Sequence, residues 1–201
     1  MNICYIYDDI DIYTKNKIIR RALKLNDVNI IECKSSLKNG FLRNVSKYLQ
    51  FIIKKHKADY IFVGFVGQPI VKPIKFITNK PIIFDAFMSM YNTLVEDKQI
   101  VKKNSSKAKL LHFLDKQACQ SADLVLLDTD EHIDYFVNEF KIKKSKFKRL
   151  YIGAHDEIFF PKESKENKTF TVEFHGGFIP LQGIQTIIEA ARILKDEDIK
   201  F

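Results

Sequence analysis

Short apolar runs alternate with segments of helical period along most of the chain. The pattern predicts strands at Asn2–Tyr7, Val28–Glu32, Asp59–Val63, Pro81–Phe84, Leu124–Leu127 and Lys148–Ile152. It predicts helices at Tyr13–Leu25, Gly40–His56, Pro69–Thr78, Ser105–Ser121 and from Thr129 or Asp130 to Phe140. Strands and helices that alternate in this way predict an α/β fold, a doubly wound parallel sheet with helices on both faces.

The helix Gly40–His56 has the strongest amphipathic pattern. Its apolar residues recur at steps of three and four positions, which places them on one face. These residues are Phe41, Val45, Tyr48, Leu49, Ile52 and Ile53.

The composition changes after Pro161. Residues 162–168 include no apolar side chain and predict a linker, which we extend to residue 169. A strand at Phe170–His175, two glycines and a helix at Gly183–Leu194 then form a new βα unit. We therefore expect a first domain at 1–161, a linker at 162–169, and an incomplete second βα unit at 170–201.

Composition and charge restrict the class of protein. An apolar content of 46% and a charged content of 29% exclude a disordered chain, a collagen-like repeat and a small disulfide scaffold. The net charge of +8 suits either a solvated surface or an anionic partner. The basic stretch Lys141–Arg149 has six cations in nine residues, and is either an exposed turn or a contact for phosphate or anionic lipid. Because no known nucleic-acid-binding motif is present, we expect no nucleic acid partner.

The cysteines and histidines show no metal-ligand spacing. Cys4, Cys33 and Cys119 are far apart, so we expect three buried, reduced thiols and no metal. No apolar window approaches the ~20 residues of a membrane-spanning helix, and the first residues are too acidic for a signal peptide. We expect a cytoplasmic protein, and leave open a peripheral location on the inner face of the membrane.

In an open parallel sheet, ligands bind beyond the carboxyl ends of the strands. The candidate residues at that edge are Asp8, Asp9, Asp11, Gly64, Gly67, Asp85 and His155. The three carboxylates that follow the first strand form either a phospho-acceptor or metal site, or a solvated turn. Gly64 and Gly67 mark either a tight turn or a close approach of the backbone to a ligand.

The segment FHGGFIPLQG, Phe174–Gly183, is the strongest local motif. Gly176 and Gly177 allow backbone amides to approach a bound group, and the helix after Gly183 presents its amino terminus. The segment is therefore either a phosphate-binding turn or a plain glycine turn between a strand and a helix.

Three segments in this order resemble group-1 glycosyltransferases, which have the two-domain GT-B architecture. They are DLVLLDT (Asp123–Thr129), GAHDEIFFP (Gly153–Pro161) and FHGGFIPLQGIQTIIEAARIL (Phe174–Leu194). The segment Asp85–Lys98 is also similar to one branch of that family. The resemblance covers most of Pro81–Leu194.

The resemblance implies a Rossmann-like acceptor-side domain, followed by the start of a donor-binding domain. The implied reaction transfers a sugar from a nucleotide-diphosphate sugar to a glycan or lipid-linked acceptor, with no further cofactor. It implies a donor-phosphate site at Gly176, Gly177, Gln182 and Gly183, in which Gln182 replaces the family's usual Lys or Arg.

For the acceptor side, the resemblance implies a catalytic role for Asp85, where the family often has a His. Asp8, Gly64, Gly67 and His155 would surround the acceptor. Because most of a donor domain would lie beyond Phe201, we expect the fragment alone to be inactive. The alternative is a non-catalytic doubly wound domain that binds a protein partner or a small anion.

Overall fold

The computed structural model describes residues 1–10, 14–161, 169–176, 178 and 182–201. The strands are β1 (Asn2–Asp8), β2 (Asn29–Ser35), β3 (Tyr60–Val63), β4 (Ile82–Phe87), β5 (Leu124–Leu127), β6 (Phe147–Arg149), β7 (Phe170–Thr171) and β8 (Ile199–Lys200). The helices are α1 (Thr14–Leu25), α2 (Gly40–Lys54), α3 (Gln68–Lys75), α4 (Ser106–Ser121), α5 (Asp130–Phe140) and α6 (Ile184–Ile193).

Strands β1 to β6 form one parallel sheet in the order β2-β1-β3-β4-β5-β6. The chain first builds outward from β1 to β2, and then crosses back to place β3 on the other side of β1. The predicted α/β fold with a doubly wound parallel sheet is confirmed. The reversal of strand order lies between β1 and β3.

Helices pack on both faces of this sheet. Successive side chains of a strand point to opposite faces, and apolar side chains of β1 lie on each face. Ile3, Tyr5 and Tyr7 of β1 pack with Ile19 of α1 on one face. Cys4 of the same strand belongs to the larger core on the opposite face, where α2, α3, α4 and α5 pack. The larger core extends across the sheet to β6.

Helix α2 is confirmed, and its orientation is unusual. Its fully buried residues are Lys47 and Phe51, whereas the apolar residues that define its amphipathic pattern lie mainly on the outer face. Lys47 Nζ donates to Asp8 Oδ1 at 2.5 Å, at the carboxyl end of β1. The inner face of α2 therefore holds a buried cation.

Several predicted boundaries differ from the structure. Strand β4 extends past Phe84 to Phe87, and β6 covers Phe147–Arg149 instead of Lys148–Ile152. A π-helical segment, Asn92–Asp97, interrupts the connection from β4 to α4. Apolar periodicity gave no signal for it.

The carboxyl-terminal unit also differs from the expected single strand and helix. β7 spans two residues instead of reaching His175, and β8 pairs with it in parallel after α6. The predicted linker at 162–169 lies outside the described residues except for Thr169. In the described part of the chain, every helix is too short or too polar to cross a bilayer.

We expect Gly67→Ala to destabilise the fold by about 2 kcal/mol, because a side chain there overpacks the turn from β3 to α3. A Cβ on Gly67 would overlap Val63 Cγ1 and lie 2.7 Å from the Gly64 carbonyl oxygen. Gly40→Ala is the control, since its Cβ would meet only Arg43 Nη2 at 3.7 Å. Urea unfolding would contradict this account if the two variants lost the same stability.

Candidate functional site

A cavity opens at the carboxyl ends of β3 and β4, the edge of a parallel sheet where ligands bind. Its volume of about 570 Å³ is within the range of small-molecule sites. Its apolar walls are formed by Phe65, Phe87, Met88, Met90, Leu94 and Ile152. Such walls suit a ligand with an apolar surface.

One wall of the cavity carries a buried ion pair. Lys15, in the first turn of α1, donates from Nζ to Asp85 Oδ1 at 2.6 Å. The same ammonium lies 4.3 Å from the ring centroid of Phe87, a cation–π contact. Lys15 lines the cavity and Asp85 does not, so the carboxylate holds a cation at the cavity wall.

Asp85 itself is fully buried within β4. Burial raises the pKa of its carboxyl, and the Lys15 ammonium opposes that rise. Its second oxygen, Oδ2, has no hydrogen-bond partner among the described residues. Asp85, the predicted catalytic residue, therefore does not line the cavity itself, and its contact with the cavity is made by its partner Lys15.

Two cavity residues have left-handed backbone conformations that favour glycine. Val66, with φ 67°, is β-branched, and Phe87, with φ 57°, follows an irregularity in the pairing of β4 with β5. Strain of this kind persists only where the surroundings enforce it, and it clusters at functional sites. The Phe65 ring packs edge-on against Phe87 at a centroid distance of 5.1 Å.

The far wall is anchored by a second buried carboxylate, Asp115 of α4. It accepts hydrogen bonds from Ser89 Oγ at 2.7 Å, Tyr91 N at 2.9 Å and Met90 N at 3.2 Å. Burial raises the pKa of Asp115, and these donors oppose that rise. They hold the loop in front of the π-helical segment.

A second cavity of about 450 Å³ continues the first along this segment. The two share Met88, Thr93 and Lys98, and the second adds His132 of α5. Lys98 gives the first cavity another cation besides Lys15. The elongated space therefore combines apolar walls with two ammonium groups, and its second part also has the carboxylates Glu96 and Asp97.

Asp8 does not line this space. It is 2% exposed, and its carboxylate contacts Lys47 Nζ at 2.5 Å and Arg43 Nε at 2.9 Å. The interpretation of Asp8 as a solvated turn residue is wrong, because two helix cations enclose it. Burial lowers the pKa of Lys47, and Asp8 opposes that decrease.

Gly64 and Gly67 serve packing at the turn after β3. A Cβ on Gly64 would lie 2.5 Å from Asn16 Oδ1 and 3.3 Å from Tyr5 Cε1, so the glycine lets α1 approach. Neither glycine lines the cavity, although their neighbours Phe65 and Val66 do.

His155 lies against α1 and not among the cavity residues. Its Nδ1 is 3.4 Å from Arg21 Nη1, and Arg21 also pairs with Asp156 and Glu157. These contacts hold the segment after β6 against the side of α1. Ile152 is the part of that segment that reaches the cavity.

The predicted donor turn is described in part. A Cβ on Gly176 would lie 2.6 Å from Gln182 Oε1, so the Gln182 side chain covers the glycine. Gly183 has φ 60° and caps α6, a conformation that favours glycine. Gly177 lies outside the described residues.

The basic stretch Lys141–Arg149 is partly paired. Lys144 contacts Asp134 at 2.6 Å, and Arg149 contacts Asp130. Contact of this stretch with anionic lipid stays a prediction. Among the described residues, no cluster of His, Cys, Asp and Glu could hold a metal ion.

Sequence reasoning missed Lys15, Lys98 and the strained Val66. Lys15 and Asp85 each lie at the carboxyl edge of the sheet, but their separation of 70 positions left no local signal that they pair. The left-handed Val66 gave no signal, since valine seldom adopts that conformation.

No protein-family model matches this chain, and no curated protein matches its sequence. Among solved structures, it is similar to the apo form of the lipopolysaccharide outer core galactosyltransferase WaaB, with 13% identity, a TM-score of 0.49, and coverage of 88% of this chain and 54% of that one. It is also similar to HepE of Anabaena in complex with UDP and glucose, with 11% identity and a TM-score of 0.45. That match covers 97% of this chain and 50% of HepE. The chain thus spans about half the length of each. This likeness assigns no family or activity.

We expect Asp8→Asn to cost about 3 kcal/mol of unfolding free energy, because it leaves Lys47 buried without a counter-charge. Asp9→Asn is the matched control, since Asp9 is 40% exposed and pairs with Lys34 at the surface. We expect it to cost less than about 1 kcal/mol. Equal urea midpoints for the two variants would contradict the role assigned to Asp8.

Proposed function

We propose that this chain is the acceptor-side part of a glycosyltransferase, and that the cavity binds the acceptor. The Lys15–Asp85 pair carries the proposal, because it holds an ammonium against a mainly apolar cavity at the carboxyl edge of the sheet. The order of the segments Asp123–Thr129, Gly153–Pro161 and Phe174–Leu194 supports the same function, since group-1 glycosyltransferases have that order.

The site contains groups suited to sugar transfer. When an acceptor hydroxyl attacks the anomeric carbon, the bond from that carbon to the diphosphate breaks, and negative charge develops on the departing diphosphate. The hydroxyl proton would pass to an oxygen of that diphosphate or to solvent. A preorganised cation lowers that barrier. Lys15 is preorganised by Asp85 and Phe87, so we assign it to donate to an acceptor oxygen or to the departing phosphate. The apolar walls would bind the body of a glycan or lipid-linked acceptor.

We assign Asp85 a positioning role. A carboxylate with no exposed surface does not touch an acceptor in the cavity, whereas its partner Lys15 lines that cavity. The carboxylate would hold the ammonium in a fixed orientation. This role replaces direct proton removal by Asp85.

The donor diphosphate would bind at the turn that contains Gly176, Gly177, Gln182 and Gly183. The left-handed Gly183 before α6 supports this assignment, because it lets the chain enter the amino terminus of that helix. Gln182 can donate a hydrogen bond to phosphate without adding charge.

A double-mutant cycle on Lys15 and Asp85 tests the proposal in the complete protein. We expect Lys15→Gln and Asp85→Asn each to lower kcat at least about 10²-fold. Because Asp85 acts through Lys15, the double variant should be no slower than Lys15→Gln alone. The double variant also restores a neutral buried pair, so its urea midpoint should exceed that of Lys15→Gln. The measurement is release of nucleoside diphosphate from a panel of nucleotide-sugars.

Lys24→Gln is the control, because Lys24 is an exposed cation of the same helix. It should leave kcat unchanged. If the double variant lost as much kcat as both single variants together, Asp85 would not act through Lys15, and its positioning role would be wrong. No nucleoside diphosphate release from any nucleotide-sugar would contradict the proposed function and favour a non-catalytic binding domain.

A further inference from the structure

Helix α2 presents an apolar face to solvent. Its stripe, defined here as Phe41, Val45, Leu49, Ile52 and Ile53, has exposed fractions of 75, 38, 55, 42 and 68%. Within the described residues, no other helix exposes as many large apolar side chains. Contiguous apolar patches of this kind mark interaction sites.

The net charge of the chain is concentrated around this helix. Residues 33–84 contain ten Lys or Arg and one carboxylate, Asp59, which gives that segment a charge of +9. The other 23 cations and 24 carboxylates nearly cancel. Four of these ten cations, Lys34, Arg43, Lys47 and Lys75, pair with carboxylates from outside the segment. With those four set aside, six cations against one carboxylate still make the segment that includes the stripe cationic.

Cations flank both ends of the stripe. Lys38 precedes α2 and is exposed, and Lys54, Lys55 and Lys57 follow Ile53. Lys54 Nζ donates to the Glu32 carbonyl at 2.7 Å, and Lys55 Nζ to the Ile77 carbonyl at 2.6 Å. These acceptors are carbonyls of β2 and of the turn after α3, so they hold the two ammonium groups without cancelling their charge.

The apolar stripe and its flanking cations indicate which kind of partner binds there. A second copy of the chain, packed stripe to stripe, would bring two cationic surfaces together, which electrostatic repulsion opposes. A bilayer with anionic lipid accepts both the apolar side chains and the flanking cations. We propose that α2 is a membrane-binding surface that lies in the headgroup plane of an anionic bilayer along its length of about 22 Å.

This surface is separate from the basic stretch Lys141–Arg149. α2 packs on β1 and β2, whereas that stretch runs into β6 at the opposite edge of the sheet. The two surfaces can therefore be tested independently. The stretch also lacks an apolar stripe in its sequence.

Vesicle co-sedimentation of residues 1–201 tests the proposal. We expect the chain to pellet with phosphatidylcholine–phosphatidylglycerol vesicles, more weakly as salt increases, and not with pure phosphatidylcholine. Leu49→Gln with Ile53→Gln should lower the partition coefficient by about tenfold or more, because the apolar contact is lost. Gln retains helix propensity, and both side chains are exposed, so the urea midpoint should not change.

The matched control is Leu110→Gln with Phe113→Gln, which removes two exposed apolar side chains from α4. It should leave vesicle binding unchanged. The proposal is overturned if neither vesicle binds the chain, if both bind it equally, or if the α2 and α4 variants behave alike. A loss caused only by Lys143→Glu with Lys148→Glu would move the surface to Lys141–Arg149. A concentration-dependent dimer that the α2 variant abolishes, without vesicle binding, would make a second copy the occupant.

Discussion

The ion pair between Asp8 and Lys47 determines how α2 lies on the sheet. Asp8 ends β1, which lies between β2 and β3, and is almost fully buried, so its charge requires a partner in the core. Lys47 supplies that partner at 2.5 Å from the middle of α2. In a helix, the direction of the residues on one face determines the direction of those on the opposite face. Placing Lys47 inward, with Phe51 one turn later, therefore turns the apolar stripe of α2 toward solvent.

The same arrangement recurs at the candidate site, with a different consequence. There α1 provides Lys15, and β4 provides Asp85, whose side chain has no exposed surface. In both pairs a carboxylate near the end of a strand binds a lysine from a helix on the sheet. The Asp8 pair is closed inside the core. The Lys15 ammonium instead borders a cavity, which makes it available to a ligand.

The strands and the helices follow from patterns that are local in sequence. Apolar runs and helical periods predicted all six strands of the main sheet, although the ends of β2, β4 and β6 differ from the predicted ones. The site depended on contacts between distant residues. Asp8 and Lys47 are 39 positions apart, and Lys15 and Asp85 are 70 apart, so neither pair was visible locally. Periodicity located the apolar face of α2, but gave no information on whether that face pointed inward.

The exposed stripe on α2 is not explained by the stability of the isolated chain. Breaking a buried ion pair costs about 3–5 kcal/mol, whereas full burial of one large apolar side chain contributes about 1.5–3 kcal/mol. The stripe has five such side chains, only partly exposed, against one inward phenylalanine. By these magnitudes, the ion pair alone does not balance an uncovered stripe, so the pair determines the orientation of α2 only where something covers the stripe. The outward stripe therefore indicates a surface that covers it, and the concentration of cations around α2 indicates that this surface is anionic.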